Sequence, residues 1–134
     1  MARNKYFLDS SFVIALIFSN DFNHNKAIDV KFVLNHECYI NNSVLAEILN
    51  ISNKFADFKS VVEIYYHLID NLKIINEYDI FGYDAKSLAI FQKYKGKLGF
   101  ADSGIIATMN QHEINNLVTF DNEFKRVESI KVIS

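Results

Sequence analysis

The chain has 134 residues, and half of them are hydrophobic, which is enough to form the core of one domain without disulfides or a structural metal. The formal net charge of −2 argues against a protein that coats nucleic acids, because such proteins are usually strongly basic. Cys38 is the single cysteine, so we expect a buried, inert thiol in a reducing cytoplasm. No apolar stretch reaches the length of a membrane span.

The start of the chain has some features of a signal peptide. Arg3 and Lys5 precede the apolar run Phe12 to Phe18. That run is at the short limit for a signal peptide, Asp9 interrupts its approach, and Ser19-Asn20-Asp21 is a poor cleavage site. There is no proline-rich or low-complexity linker, so we expect one domain over residues 1–134.

The first elements are a strand and two helices. Lys5 to Leu8 predicts a strand that ends at Asp9, and Ser10 or Ser11 is the expected N-cap of a helix reaching about Ser19. A second helix is expected to start at Asp21. Its apolar residues recur at helical spacing and are Ala27, Val30, Val33 and Leu34.

A second strand and a long helical stripe follow. Cys38 to Ile40 predicts a buried strand, and Asn42 or Ser43 is the expected N-cap of a helix from Val44 to about Asn50. The clearest period in the chain comes next. One apolar stripe is predicted from Phe55, Phe58, Val61, Val62, Tyr65, Leu68 and Ile69.

The second half of the chain continues the alternation. Further strands are expected at Leu72 to Ile75, Leu117 to Phe120 and Ser129 to Ile133. Further helices are expected at Tyr83 to Lys95, stopped by Gly96, and at Ala101 to about His112. Alternating strands and helices predict an α/β protein with a mainly parallel five-stranded sheet between two helical layers.

Four acidic residues are expected at one edge of this sheet. Asp9 and Asp121 directly follow the first and fourth strands, and Glu47 and Asp102 lie near the starts of helices, with Glu47 in the first turn or so. In parallel sheets the carboxyl ends of the strands share one edge, where ligands bind. Two carboxylates about 4 Å apart repel by roughly 4 kcal/mol at an effective dielectric of 20. Such a cluster therefore predicts a hard divalent cation, Mg²⁺ or Mn²⁺, and phosphodiester hydrolysis.

Each of these residues also has a structural interpretation. Glu47 could complement the helix dipole, Asp102 could be an N-cap, and Asp9 and Asp121 could be loop or cap residues. Gly104 inside a helix costs roughly 1 kcal/mol relative to Ala, which indicates close approach of the backbone to the sheet or to a ligand, or close packing alone.

Four segments carry the acids. They are Tyr6–Ile14 (YFLDSSFVI), Asn42–Ile48 (NSVLAEI), Gly99–Ala107 (GFADSGIIA) and Leu117–Phe124 (LVTFDNEF). In their order and spacing they resemble the motifs of the PIN-domain family, and within it the VapC-like toxins, from about Tyr6 to the end of the chain. Ser11 stands where Asn is common, and Ser103-Gly104 replace a bulkier pair.

The resemblance implies a metal-dependent endoribonuclease that cleaves single-stranded RNA, with a PIN-like fold, as the toxin of a toxin–antitoxin pair. It implies that Asp9, Glu47, Asp102 and Asp121 are catalytic and bind one or two Mg²⁺ or Mn²⁺ ions. Ser11 and Thr119 would hold water or orient the acids, and Glu123 is a weaker candidate ligand. An antitoxin whose tail covers the acidic groove and a homodimer are implied as well.

Three alternatives remain open at this point. The chain could be a PIN-fold nuclease that processes RNA without an antitoxin, or a PIN fold that only binds partners. It could also be a receiver domain, whose acids likewise gather at a sheet edge. A receiver needs an acceptor Asp after strand three, where this chain has Asn76-Glu77.

Overall fold

The computed structural model describes residues 4–134, so Met1 to Arg3 of the predicted domain lie outside the described part. It contains a five-stranded, fully parallel sheet in the order β3-β2-β1-β4-β5. The strands are β1 (Lys5–Leu8), β2 (Glu37–Asn41), β3 (Lys73–Ile75), β4 (Asn116–Val118) and β5 (Lys131–Ile133).

Strand β1 lies at the centre of the sheet. It pairs with β2 on one side, with Tyr6 opposite Cys38, and with β4 on the other, with Tyr6 opposite Asn116. Phe7 is fully buried and Leu8 is nearly so. Consecutive apolar residues suit this strand because helices cover both faces of a parallel sheet.

In the described part of the chain, six helices flank the sheet and form the predicted three-layer α/β/α arrangement. They are α1 (Ser10–Ile17), α2 (His24–Val30), α3 (Asn42–Phe55), α4 (Phe58–Asn71), α5 (Tyr83–Lys93) and α6 (Phe100–Gln111). Short 3-10 segments follow α2, β3 and β4 at Lys31–Asn35, Glu77–Asp79 and Asn122–Arg126. Within residues 4–134, none of the helices combines the length and hydropathy needed to cross a bilayer.

The predicted starts of three helices are wrong. Asp9, not Ser10 or Ser11, occupies the N-cap position of α1. Helix α2 begins at His24, because Asp21 accepts a hydrogen bond from the Asn23 N–H in a turn before it. Asn41, the last residue of β2, caps α3 by accepting from the Val44 N–H at 2.9 Å, so the strand passes into the helix without a loop.

The long apolar stripe is divided between two helices. Helix α3 ends at Phe55, and Asp57 caps α4 by accepting from the Ser60 N–H at 2.8 Å. Val61 and Leu68 are buried, but Phe55 and Phe58 lie at the break and are 69% and 76% exposed. The helical spacing of the apolar residues gives no sign of the break between the two helices.

Several element ends also differ from prediction. Helix α1 ends at Ile17, and α3 continues to Phe55 rather than Asn50. Helix α5 ends at Lys93 because Lys95 and Gly96 adopt positive φ angles of 53° and 74°. Helix α6 begins one residue earlier than predicted, at Phe100. The predicted strand starts at Leu72 and Ser129, and the predicted end at Phe120, lie outside β3, β5 and β4.

Two smaller predictions have clear outcomes. Cys38 is buried, its thiol donates to the Val33 carbonyl at 3.2 Å, and burial raises the pKa of the thiol to about 11, so it is an inert core residue. Gly104 is indeed at a close approach, but its partner is α5. A Cβ at this position would overlap the Tyr83 hydroxyl. Close packing of α6 against α5, one of the two expected explanations, therefore accounts for this glycine.

Candidate active site

Asp9 extends the central strand at the carboxyl edge of the sheet. Its N–H donates to the Val118 carbonyl at 3.0 Å, which continues the pairing of β1 with β4 by one residue. The residue is 5% exposed. Its Oδ2 atom accepts hydrogen bonds from the hydroxyls of Ser11 and Thr119, both at 2.7 Å. The three side chains predicted as a ligand and its two supports are thus in direct contact.

The two hydroxyls have defined orientations. Ser11 Oγ accepts from the Phe120 N–H at 3.0 Å, and Thr119 Oγ1 accepts from the Asp121 N–H at 3.0 Å. Each hydroxyl hydrogen therefore points to Asp9, although the two oxygens are only 3.2 Å apart. These hydrogen bonds fix the rotamer of Asp9. They also connect the Asp9 carboxylate, through the two hydroxyls, to the backbone N–H groups of Phe120 and Asp121.

The other three predicted acids come from different elements. Glu47 is an exposed residue of α3 and is the sixth residue of that helix, in its second turn rather than its first. Asp102 is the partly buried third residue of α6, whose N-cap position belongs to Gly99. Asp121 is separated from the end of β4 by two residues, and it caps the following 3-10 segment by accepting from the Glu123 N–H at 2.9 Å.

Asp9, Glu47, Asp102 and Asp121, here called the acid cluster, repel one another. Burial is the main cause of a raised pKa at Asp102, and the charges of Asp9, Asp121, Glu47 and Glu123 add to it, bringing the pKa to about 7. Partial desolvation of its carboxyl group and the charge of Asp9 raise the pKa of Glu47, against a hydrogen bond from Ser10. Burial also raises the pKa of Asp9, although its hydroxyl partners lower it. None of the main contributions comes from a Lys, Arg or His of residues 4–134.

The acid cluster offers oxygen ligands suited to a metal ion, but its side chains do not form a closed coordination sphere. Within the described chain, no three His, Cys, Asp or Glu side chains converge closely enough to bind one ion as they stand. Mg²⁺ retains several waters and is usually bound through only one or two carboxylates, so a tight cage is not needed. The charges of Asp9, Glu47 and Asp121 raise the pKa of Asp102, and the charge of Asp9 raises that of Glu47. Oxygen-donor acids whose charges disfavour one another in this way fit a hard divalent ion.

Glu123 is a poorer candidate than the four cluster acids. Its carboxylate forms an ion pair with Arg126 at 2.7 Å, and its side chain is about half exposed. An acid already paired with a cation gains less from a metal ion than an unpaired one. The interpretation of Glu123 as an exposed charge near the cluster therefore has the better support.

Removing one of the two hydroxyl groups that donate to Asp9 should weaken metal binding. We expect Thr119→Val, which keeps the shape of the side chain, to lower the affinity for Mn²⁺ by about 10- to 100-fold, because partners of metal ligands orient them. Isothermal titration calorimetry with Mn²⁺ measures this. Ser87→Ala removes another fully buried hydroxyl, which bonds to Tyr83 in α5, and is the matched control. Equal affinities in the two variants would contradict the prediction.

Two buried residues at this edge were not predicted. Asn41 and Glu77 are both fully buried, and both bind the first turn of α3. A signal for Glu77 was present in the sequence, because it lies two residues after β3, at the same edge of the sheet as Asp9. The partner of its carboxylate could not be read from that position, since the hydrogen bonds run to residues 34 and 35 positions earlier.

A separate cavity of about 770 Å³ lies away from the acid cluster. Its lining is mainly apolar and comes largely from α1 and α4, with Leu8 and Cys38 of the sheet. None of the four cluster acids lines it. The cavity therefore has no part in the chemistry considered for the cluster.

The fold and the site can now be compared with known proteins. VapC20 of Mycobacterium tuberculosis, described as a sarcin-ricin loop cleaving toxin, superimposes with a TM-score of 0.78 at 19% identity, covering 92% of this chain and 95% of that one. A toxin–antitoxin complex from Klebsiella pneumoniae gives 0.73 at 20% identity, covering 96% of both chains. VapBC2 of Rickettsia felis, bound to a DNA fragment from its promoter, gives 0.65 at 19% identity, with 96% of both chains covered.

These similarities establish a shared fold with VapC toxins. A search of curated proteins finds no match. The sequence model of the PIN domain, however, matches residues 6–130, which include all four acids, Ser11 and Thr119. Because the match spans nearly the whole chain, the protein belongs to the PIN-domain family.

Proposed function

We propose that this protein is a metal-dependent endoribonuclease that cleaves single-stranded RNA and acts as the toxin of a toxin–antitoxin pair. The observation that carries the proposal is the acid cluster. Burial and the charges of the neighbouring carboxylates, Asp9, Asp121 and Glu47 foremost, raise the pKa of Asp102 to about 7, and no cation of the described chain is a main contributor. Family membership and the likeness to VapC toxins support the same activity.

Asp9, Glu47, Asp102 and Asp121 would hold one or two Mg²⁺ or Mn²⁺ ions. The bound ion would activate water and neutralise charge at the phosphate. Ser11 and Thr119 keep Asp9 in one rotamer, so this ligand needs little reorganisation. Asp102, with a pKa of about 7, would hold a proton part of the time at neutral pH and would be ionised when a cation balances the cluster.

RNA is the proposed substrate because of the neighbours. The description of the Mycobacterium tuberculosis toxin names a loop that it cleaves, and other neighbours are toxin–antitoxin complexes. On these grounds we propose an antitoxin partner for this chain. The motif resemblance supports the proposal of a homodimer, and the single buried cysteine supports that of a cytoplasmic location. Growth arrest on expression, relieved by a neighbouring small gene, would separate a toxin from a nuclease of RNA processing.

The receiver-domain alternative lacks support from the topology. Receivers have the flavodoxin-like strand order 2-1-3-4-5. Here the order is 3-2-1-4-5, which places the first strand in the centre. A PIN fold that only binds partners is also less well supported, because it would not need unbalanced carboxylates at the strand ends.

The deciding experiment is cleavage of RNA under control of the metal. The purified protein is incubated with mixed single-stranded RNA and Mn²⁺ or Mg²⁺, and the same reaction with EDTA should show no cleavage. Single-stranded DNA of the same sequence tests the choice of substrate. Cleavage that persists in EDTA would refute the metal-dependent mechanism, and cleavage of DNA alone would refute the assignment to RNA.

A further inference from the structure

The start of α3, the helix that carries Glu47, is held by two side chains outside the acid cluster. Asn41 and Glu77 are both fully buried. Asn41 is the last residue of β2, and Glu77 lies in the 3-10 segment after β3. Because Asn41 is opposite Ile75 in the paired strands, the chain leaves β3 next to the point where α3 begins.

Glu77 and Asn41 accept hydrogen bonds from the first three backbone N–H groups of α3. Glu77 Oε1 accepts from the Asn42 N–H at 3.0 Å, and Glu77 Oε2 accepts from the Ser43 N–H at 2.9 Å and the Ser43 hydroxyl at 2.7 Å. Asn41 Oδ1 accepts from the Val44 N–H at 2.9 Å. The first N–H groups of a helix have no partner inside it, and a carboxylate there also benefits from the helix dipole.

The same start is linked to the helix of Asp102. Asn41 Nδ2 donates to Thr108 Oγ1 at 3.2 Å, and Thr108 Oγ1 donates to the Gly104 carbonyl at 2.8 Å in α6. Through Glu77 the first turn of α3 is attached to the segment after β3, and through Asn41 it is attached to α6. Two of the helices that supply the acid cluster therefore have a fixed relative position at this point.

Glu47 depends on this attachment more than Asp9 does. Asp9 follows the central strand and is fixed by two hydroxyls, whereas Glu47 is an exposed side chain in the second turn of α3. A helix rises 1.5 Å per residue, so Glu47 is only about 7 to 8 Å along the axis from Asn42. A small tilt of the first turn changes its distance to Asp9 and Asp102, and misplacement by about 1 Å can cost 100-fold in rate.

An ordinary helix cap would not need this arrangement. Helix α4, which carries none of the four acids, begins with the exposed Asp57, whose side chain accepts from Ser60 in the first turn of the same helix. Burying a carboxylate is unfavourable unless several hydrogen bonds offset the loss of water, and Glu77 makes three such bonds. The stronger attachment occurs at the helix whose position decides the geometry of the cluster.

We propose that Glu77 is a positioning residue of the active site: its buried carboxylate fixes the first turn of α3 and thereby places Glu47 opposite Asp9 and Asp102. The inference rests on the proposed function, since it requires Glu47 to be a metal ligand. It adds a residue that does not itself bind the metal but sets the affinity of the site for it.

The test is the Mn²⁺ affinity of Glu77→Gln. The amide keeps the shape of the side chain but turns one acceptor towards α3 into a donor, so one N–H of Asn42 or Ser43 loses its partner. We expect Mn²⁺ to bind about 10- to 100-fold more weakly by isothermal titration calorimetry, with helix content unchanged by circular dichroism. RNA cleavage should fall at low Mn²⁺ and recover as the Mn²⁺ concentration rises.

Two variants of α4 control for lost stability. Asp57→Ala removes the cap of a helix outside the cluster, and Leu68→Ala truncates a buried side chain of the same helix. Both lower the thermal midpoint, and both should leave the Mn²⁺ affinity of the folded protein within about twofold, because neither changes a residue that contacts the cluster acids. Glu77→Gln is compared with whichever variant has the nearer thermal midpoint.

Glu47→Gln separates the failure of this inference from the failure of the proposed function. If Glu47→Gln changes neither Mn²⁺ binding nor cleavage, the proposed function is wrong. If it weakens Mn²⁺ binding while Glu77→Gln behaves like its α4 control, the positioning role is overturned. If Glu77→Gln does not fold, Ser43→Ala decides, since it removes one bond to Oε2 and keeps the backbone bonds. A severalfold weaker Mn²⁺ affinity supports the role, and an unchanged affinity overturns it.

Discussion

Replacing Asp102 by Asn is expected to abolish most cleavage and, at the same time, to stabilise the metal-free protein. Loss of a charged group that holds or balances the metal should lower the rate about 100-fold or more. The Asp102 pKa of about 7 shows that the folded chain resists its ionisation, through burial and the charges of its neighbours. Asn removes that charge, so at pH 8 the thermal midpoint without metal should rise, on the order of 5 °C.

The two halves of this prediction are measured separately. Cleavage of single-stranded RNA is followed at saturating Mn²⁺, and unfolding is followed by circular dichroism in EDTA. Glu123→Gln is the matched control. Of the residues that raise the pKa of Asp102, Glu123 has the smallest effect, and it is paired with Arg126. It should keep cleavage close to that of the unmodified protein. A fully active Asp102→Asn protein would remove Asp102 from the site, and a lower thermal midpoint would contradict the repulsion within the cluster.

The second large effect is an opposite dependence of stability and activity on pH. The folded-state pKa of Asp102, about 7, is above the unfolded value of 3.8, so the folded protein binds the proton more tightly. The resulting stability is fully present below about pH 4 and is lost as the pH rises through about 7. Metal binding needs the ionised carboxylate, so affinity for Mg²⁺ and cleavage should rise over the upper part of the same range.

Thermal unfolding and cleavage between pH 5 and 8.5 test this prediction. In EDTA, the contribution of Asp102 should lower the thermal midpoint towards high pH, and this part of the slope should disappear in Asp102→Asn. Saturating Mg²⁺ should flatten the slope, because the cation replaces the proton as the balancing charge. A slope that is identical in the two proteins would show that Asp102 does not titrate near neutral pH.

Much of the arrangement of the candidate site was predictable because its signals are local. Asp9 stands directly after an apolar strand, and the same alternation of strands and helices predicted the parallel sheet that brings the four acids to one edge. Ser11 and Thr119 were expected to orient the acids, and both donate to Asp9. In each case the sequence position alone restricts where the side chain can lie, because strand ends in a parallel sheet share an edge.

The features that were missed depend on partners distant in the chain. Glu77 binds the backbone of Asn42 and Ser43, and Asn41 reaches Thr108 in another helix. The spacing of residues along the sequence does not indicate such pairs. The prediction of one continuous stripe through Phe55 and Phe58 was wrong for a related reason. An apolar pattern indicates which face of a helix is buried but not where one helix ends and the next begins. The distances within the acid cluster likewise depend on how α3 and α6 pack, which no single segment determines.

The central position of β1 has a consequence for synthesis on the ribosome. Strand β1 is translated before β4, one of its two neighbours, and Thr119, which orients Asp9, lies 110 residues after Asp9. Contacts so distant in sequence form only after the intervening chain has been made. A nascent chain that ends before residue 116 therefore has no assembled acid cluster. The proposed cleavage of RNA would thus have to wait until β4 and Asp121 have left the ribosome.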